Sequence, residues 1–389
     1  MTASAHPSVA VPPERGAASA VEGILEVLSS GSGFLRSAAN GYQASDGDIF
    51  VPQSAIRRFG LRTGDRVAGE AGQAPRGKNA PLETVRSVNG LPPEAAKGRP
   101  DFNSLPATHP DERITLEHEM PRGRRPDFTA RIIDIIAPLG KGQRALIVAP
   151  ARAGKTTVLQ AIMEGVSTNY PDATLLVLLV DERPEEVTEM EMLGLGEVVA
   201  SSFDCPAERH VAVAEMVLEH ARRQVESGRD VVLVLDSLTR LARAYNNTER
   251  GSGRLLSGGI DASALEKPKR FFGSARKVRG GGGSLTIIAT ALIDTGSRGD
   301  EVIFEEFKGT GNSELVLDRE LAEKRIFPAI NIDKSATRRE DLVIPEGDLD
   351  KVHKLRRVLH SLQPDEALQL LLRQMSDTRS NAELLSKIK

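Results

Sequence analysis

A single cysteine, Cys205, stands in 389 residues. One thiol per chain builds neither a disulfide framework nor a four-ligand zinc site, so disulfide-stapled folds and cysteine-rich metal domains are excluded. A buried, inert thiol is the expectation. Long hydrophobic runs are also missing: the longest, Leu175 to Val180, falls far short of the ~20 residues that cross a bilayer. The chain does not open with a basic start and an apolar stretch, so no secretory signal is legible. A cytoplasmic protein with no membrane partner is expected. Nor does charge of one sign dominate. The formal net charge is −3, so any nucleic-acid contact must come from local basic patches rather than from the overall field. No internal repeat is evident.

The rest is ordinary globular material, 40% hydrophobic and 27% charged, at a length that suggests two or three domains. Residues 1–20 are rich in Ala, Ser and Pro with few large apolar side chains, the composition of a disordered tail. Over residues 21–92 short apolar pieces alternate with turn residues: Gly23–Leu28, Gly33–Arg36, Asp48–Val51, Asp65–Gly69 and Leu82–Val85. Strands at that spacing predict a small all-β barrel. An OB-type, cold-shock-like barrel is one of the few folds that small, and the pattern alone does not separate it from an SH3-like barrel. Residues 93–126 are proline-rich and aperiodic, as in a linker with extended pieces, and end in the basic cluster Arg122, Arg124 and Arg125.

From Asp127 to the C-terminus the pattern is α/β. Continuous apolar runs at Arg144–Ala149, Thr174–Val180, Val231–Leu235 and Ser284–Thr290 suit a parallel sheet covered on both faces. Helical stretches lie between them. One opens at Asp204-Cys205-Pro206, carries Val211, Ala214, Leu218, Ala221 and Val225 on one face, and stops at Gly228.

The chemistry is concentrated after the first of these strands. Ala149-Pro150-Ala151-Arg152-Ala153-Gly154-Lys155-Thr156-Thr157 lies between a strand and the helical pattern Val158, Leu159, Ile162, Met163, Val166. That is the strand–loop–helix setting of a phosphate-binding loop. Backbone N–H groups at a helix N-terminus surround a phosphate, Lys155 adds positive charge for the β- and γ-phosphates, and the Thr156 hydroxyl suits Mg2+. A chance Gly-Lys-Thr in a surface turn would lack these flanks. The first glycine of the strict G-x-x-x-x-G-K-S/T pattern is replaced by Ala149.

Two acids join this loop. Val231–Leu235 runs into Asp236, a strand-end aspartate of the kind that holds the metal ion of a nucleotide, and Thr174–Val180 runs into Asp181-Glu182-Arg183. Strand ends in an open α/β sheet gather at one edge, so Glu182 becomes the candidate base for the attacking water. Each acid alone has the plainer reading of a solvated strand end or a helix cap; jointly, beside the phosphate loop, the functional reading prevails. An arginine that stabilises the γ-phosphate transition state comes from Arg319, Arg325, Arg338 or Arg339, and spacing does not choose among them.

Longer stretches carry a family resemblance. Asp181–Met190, Leu235–Asn246, Glu305–Asn312 and Glu323–Ile330 closely resemble the transcription termination factor Rho family, over roughly residues 21–389. The resemblance implies a RecA-like P-loop ATPase domain with C-terminal helices over 127–389, behind an OB-type RNA-binding domain. It implies a homohexamer that uses ATP and Mg2+ to move along nascent RNA, unwinds RNA–DNA hybrids and acts on the RNA polymerase elongation complex. Nucleotide contacts then fall to Arg152, Ala153, Gly154, Lys155, Thr156, Thr157, Arg183 and Asp236, with Phe327 stacking on adenine. Glu182 becomes the catalytic glutamate, Arg338 an arginine finger acting in trans, and Arg325 a second arginine reaching the neighbour's nucleotide. Arg254, Leu255, Ser257 and Gly258 match one RNA loop of the central pore, and residues 295–301, running on to Lys308, match the other. In the barrel, Phe34 and Phe50 could stack bases while Arg36 and Asp48 hold them, although Phe34 read alone fits barrel core equally well.

Three departures stand out. Ser32 occupies a position where the family has a further stacking aromatic, and Lys78-Asn79-Ala80-Pro81 lacks the usual tyrosine. A weaker or altered pyrimidine preference is expected. The tail stands where the family has a small helical subdomain. Two rival functions share much of the layout: a rotary or secretion ATPase subunit, and an RNA-binding scaffold without hydrolysis. RNA-stimulated turnover separates the first, and the joint presence of Lys155, Thr156, Glu182, Asp236 and Arg338 argues against the second.

Overall fold

The computed structural model describes residues 19–119, 127–248 and 256–388. Most of the N-terminal tail, the cluster Arg122, Arg124 and Arg125, and the loop residues Arg254 and Leu255 lie outside the described residues.

Strands β1 (Ser19–Val27), β2 (Gly33–Arg36), β3 (Ile49–Val51), β4 (Arg66–Ala71) and β5 (Leu82–Val88) form an antiparallel sheet in the order β3-β2-β1-β4-β5. Helix α1 (Gln53–Phe59) joins β3 to β4, and a bridge between Phe50 and Pro81 draws the edge strands together. This is an OB-type order rather than an SH3-like one. Alternate residues point inward, and Leu25, Leu35, Val51, Ile56, Val67, Leu82 and Val88 fill the interior. β1 begins at Ser19, inside the stretch expected as tail.

The connector is not a loose linker. β6 (Ala107–Thr108) and β7 (Arg113–Ile114) pair with strands of the second domain, and Phe102 is fully buried with the Arg276 guanidinium 4.4 Å from its ring centre. The proline-rich composition concealed this because its anchors are single side chains with no period.

The second domain runs α2 (Thr129–Ile136), β8 (Leu139–Gly140), β9 (Arg144–Pro150), α3 (Lys155–Asn169), β10 (Thr174–Glu182), α4 (Pro184–Leu193), β11 (Glu197–Ser202), α5 (Ala207–Glu226), β12 (Asp230–Asp236) and α6 (Leu238–Thr248). It continues with α7 (Glu266–Gly273), β13 (Arg276–Val278), β14 (Ser284–Ile293), α8 (Arg298–Lys308), β15 (Ser313–Val316), α9 (Arg319–Glu323) and β16 (Ala336–Thr337), and closes with α10 (Glu346–His360), α11 (Pro364–Ser376) and α12 (Asn381–Ser386). The main sheet is ordered β11-β10-β12-β14-β9-β15-β16, with neighbours parallel up to β15 and β16 antiparallel, and β13 and β6 add antiparallel pairings beside β14. The apolar runs of β9, β10, β12 and β14 are buried almost throughout. α10–α12 pack through Val352, Leu359, Leu368, Leu371 and Leu384 against the core shared with α2 and α3.

Some local expectations change. α5 starts at Ala207 with Pro206 as its N-cap residue, so Asp204 caps nothing. Cys205 is half-exposed rather than buried, because it sits in the turn before that helix.

The barrel seats on α5 through buried polar groups. Gly64 has φ +93°, and a Cβ there would lie 2.4 Å from the Glu219 carbonyl carbon, so only glycine allows this approach. The Gly64 carbonyl is 2.8 Å from His220 Nδ1, and Glu197 bonds both Tyr42 and Arg66. Beside them Glu226, fully buried, accepts from Phe102 N at 2.8 Å, Arg62 Nη1 at 3.0 Å and Arg99 Nε at 3.2 Å. Arg99 also bonds buried Asp65 at 2.6 Å. Removing the central carboxylate strands buried cations, and Glu226→Ala is expected to lower stability by about 3–5 kcal/mol. Urea unfolding checks this; an unchanged midpoint would contradict the role of the cluster.

Candidate functional site

β9, β10 and β12 end at the same edge of the sheet. β9 stops at Pro150, and α3 begins at Lys155. Between them the chain turns through positive φ at Arg152 (66°) and Gly154 (90°). Ala149 is 1% exposed and pairs with Leu292 as an ordinary strand residue, so this position does not require the glycine of the strict motif. The Ala153 methyl is core, leaving that residue only its backbone to offer.

Lys155 reaches across the edge. Its Nζ donates to Asp236 Oδ1 at 2.7 Å and to Glu182 Oε1 at 3.1 Å. Thr290 Oγ1, from β14, donates to Asp236 Oδ1 at 2.7 Å. Burial opposes the Lys155 charge, but Asp236 and Glu182 outweigh it and hold its pKa above the ordinary value. Burial and the Asp236 charge push Glu182 up to about 7, against the pull of Lys155 and Arg240. A carboxyl that titrates there is poised to accept a proton from water near neutrality. Arg240 Nη1 bonds Asp181 Oδ2 at 2.7 Å, and its Nε lies 3.5 Å from Glu182 Oε1.

Two cavities flank the loop. One, of about 360 Å³, is lined by Phe128, Gly154, Thr157, Val158, Phe327 and Leu372 among others, an apolar slot suited to a planar base. Phe327 keeps 47% of its surface exposed there. The other, of about 530 Å³, is bordered by Ala151, Arg152, Arg319 and Arg325. The resemblance directs Arg325 to a neighbour's nucleotide; the fold sets it beside its own phosphate loop, two residues before the Phe327 ring. Thr156 lies in the first turn of α3, and exposed Arg183 caps α4 directly after Glu182.

Arg338 is elsewhere. It follows β16, whose Thr337 pairs with Ser313, which in turn pairs with Ala145 near the start of β9. Burial and the Arg338 charge both push Arg144, at the start of β9, below its ordinary pKa. The length of β9 thus separates Arg338 from its own phosphate loop by about 20 Å. It is exposed at the sheet edge.

In the barrel, Phe34 and Phe50 meet edge to face with ring centres 5.7 Å apart, both half-buried. Arg36 and Asp48 were expected to hold a base, but they are buried and bonded to each other, with Arg36 also paired to Glu26. The Arg36 guanidinium lies 5.0 Å from the Phe34 ring centre.

Of the RNA loops, Ser257 and Gly258 form a turn against the start of α8: a Cβ on Gly258 would lie 2.3 Å from the Gly299 nitrogen. Lys308 does not belong to this meeting point. It ends α8, about 15 Å along the axis from the loop, with its ammonium over Phe304. Exposed Arg298, the first residue of α8, lies with its backbone against Gly258. Sequence reasoning also passed over Arg243, whose Nε bonds Asp300 Oδ1 at 2.7 Å, while Thr295 Oγ1 bonds Asp300 Oδ2 at 2.6 Å. The available signal was Arg240 and Arg243, three apart at the start of the helix after Asp236. That helix touches the end of β10 through Arg240 and the first turn of α8 through Arg243.

A model of the ATP synthase alpha/beta family nucleotide-binding domain matches residues 129–337, and one of the Rho termination factor RNA-binding domain matches residues 21–94. Transcription termination factor Rho of Gemmatimonas aurantiaca is 56% identical over 381 residues, covering 96% of this chain but 52% of that protein, so the chain spans about half of that relative's length. The same factor from Cereibacter sphaeroides is 54% identical over 94% of this chain and 86% of that protein, and that from Pseudomonas aeruginosa 53% over 95% and 87%. Among solved structures, an ATPase of a bacterial type III secretion system superposes with a TM-score of 0.57 at 24% identity, covering 82% of this chain and 85% of that one. The assembled ATPase EscN gives 0.56 at 26%, covering 79% and 69%.

Glu182 binds its proton more tightly folded than unfolded, so stability falls as pH rises from about 4.5 to about 7. Glu182→Gln is expected to flatten that slope and to be more stable than the parent at pH 8 but not at pH 4. Thermal melts across the range test it; parallel curves for both proteins would show that Glu182 is not the titrating group.

Proposed function

The chain belongs to the transcription termination factor Rho family, and on that premise we propose that it is an ATP-driven RNA translocase and RNA–DNA helicase that terminates transcription. Its OB-type barrel captures nascent RNA, its RecA-like domain hydrolyses ATP, and six copies form a ring through which the strand is drawn. The ring works in the cytoplasm, where it reaches the RNA polymerase elongation complex and releases the transcript. The observation that carries this reading is the convergence of Lys155, Glu182 and Asp236 at one sheet edge, tied by α6 to a loop that faces outward with Arg298.

The chemistry follows from these positions. The backbone of residues 151–154 and the start of α3 receive the phosphates, Lys155 leaves the carboxylates for the β- and γ-phosphates, and Phe327 covers the adenine slot. Thr156 and Asp236 offer hard oxygen donors, the kind Mg2+ prefers, and would hold that ion. When bound, it neutralises charge on the β- and γ-oxygens. Glu182, released from Lys155, orients water and takes its proton. Arg338 lies too far from its own loop to act there, which supports its service to a neighbouring copy's γ-phosphate. RNA pressing on Arg298 and the Gly258 turn shifts α8, and Asp300 passes that shift through Arg243 to α6 and then through Arg240 to Asp181 and Glu182.

The secretion ATPases share the fold, but the match of residues 21–94 to an RNA-binding domain favours RNA over a protein rotor. The deciding experiment is ATP turnover with and without RNA. Turnover should rise with RNA, and Arg338→Ala should lower the stimulated rate by about a thousand-fold while nucleotide binding persists. Turnover indifferent to RNA would defeat the reading, and an active Arg338→Ala would defeat the finger.

A further inference from the structure

The slot beside the phosphate loop is assembled from pieces that the sheet alone does not tie together. Gly154 belongs to the loop that follows β9, and Phe327 belongs to the segment behind β15. That segment is stitched to the sheet, with Leu317 N donating to the Val148 carbonyl and Asp318 N to the Ala329 carbonyl, both at 2.8 Å. The remaining wall is Phe128, at the entry to α2, and Leu372, inside α11. These two lie far apart in the chain, and neither is in the sheet.

One buried side chain joins them. Arg131 lies one helical turn after Phe128, with its guanidinium 5.7 Å from the Phe128 ring centre. Its Nη1 donates to the Met375 and Thr378 carbonyls, both at 2.9 Å. Its Nη2 donates to Thr378 Oγ1 at 2.9 Å, and its Nε to Asn381 Oδ1 at 3.1 Å. Asn381 Nδ2 donates back to the Arg131 carbonyl at 3.0 Å. Glu117 balances the charge 3.3 Å from Nε and also accepts from Asn381 N at 2.8 Å. Met375 sits in the last turn of α11, where carbonyls lack partners within the helix, and Leu372 lies one turn earlier. Arg131 itself does not line the slot.

We propose that Arg131 is a positioning residue for the base of the nucleotide. It caps the end of α11 and faces the Phe128 ring at once, so it fixes Leu372 against Phe128 and with them the width of the slot. The inference rests on the reading of that slot as the place of the base. A planar guanidinium offers five donors in a rigid fork, whereas a lysine ammonium is a single point and cannot span three acceptor residues. The width matters because dispersion falls steeply with distance: a gap of about 1 Å forfeits up to about half of each contact. The phosphates are held separately, by Lys155 and the loop. A misplaced wall therefore weakens the hold on the base and leaves the hold on the phosphates intact.

The test is calorimetric titration of the full chain, with Mg2+ and without RNA, by ATP and by inorganic tripolyphosphate, which has the phosphates but no base. The parent should bind ATP more tightly. Arg131→Met should weaken ATP about ten-fold, within the range that stacking on an aromatic contributes, and leave tripolyphosphate unchanged. Arg131→Lys should fall between the two. Thr378→Val, which removes only the Nη2 acceptor, should weaken ATP by about three-fold, in line with the loss of one hydrogen bond. In RNA-stimulated turnover the KM for ATP should rise in these variants with kcat unchanged, because the base fills the slot equally before and during reaction. An arginine that merely fastened α11 to α2 would lower the urea midpoint and leave the ratio of the two affinities where it was. Equal weakening of both ligands, or a ratio unmoved in Arg131→Lys and Thr378→Val, overturns the proposal. Should Arg131→Met not fold, those two milder variants decide. A parent chain that binds both ligands equally overturns the slot as the place of the base, and this proposal with it.

Discussion

The salt-bridged ammonium of Lys155 is the constraint on which the site depends. Two largely buried carboxylates, Glu182 and Asp236, end neighbouring strands and face the same space. Like charges in such a place cannot both ionise cheaply, and the lysine between them holds the edge together. A triphosphate competes for that same lysine. In the proposed mechanism its arrival would change the partners of both acids in one step.

Around that edge the fold supplies leverage. α6 starts where β12 ends, places Arg240 against Asp181 and Glu182, and one turn later places Arg243 on Asp300. The barrel is fixed to the same domain by Gly64, His220 and the Glu226 cluster, so RNA held on the barrel is held at a defined orientation to the sheet. The result is an ATP-dependent, RNA-binding termination factor in which capture and motor are parts of one packed unit.

Much of this was legible in the residues. The phosphate loop announced itself because its strand, glycine turn and helix are contiguous, and the acids because each ends a strand of unbroken apolar residues. The strands β11 and β15 were not legible: β11 is an edge strand that alternates between half-buried and buried residues, and β15 is four residues long, so neither builds an apolar run. The connector hid its structure for a similar reason. Residues 295–301 and Lys308 read as one stretch in the sequence, and helix α8 sets its two ends, Arg298 and Lys308, about 15 Å apart along its axis.

Local order therefore established which residue types could bind phosphate, hold a metal ion and move a proton, since those requirements are met within a few consecutive positions. Which charge meets which partner was settled by distance through space. Arg36 and Asp48 pair with each other, Arg325 stands beside its own phosphate loop, and Arg338 lies a strand's length from it. Strand order and helix length set those separations, and a charge acts only on what lies within a few ångströms of it.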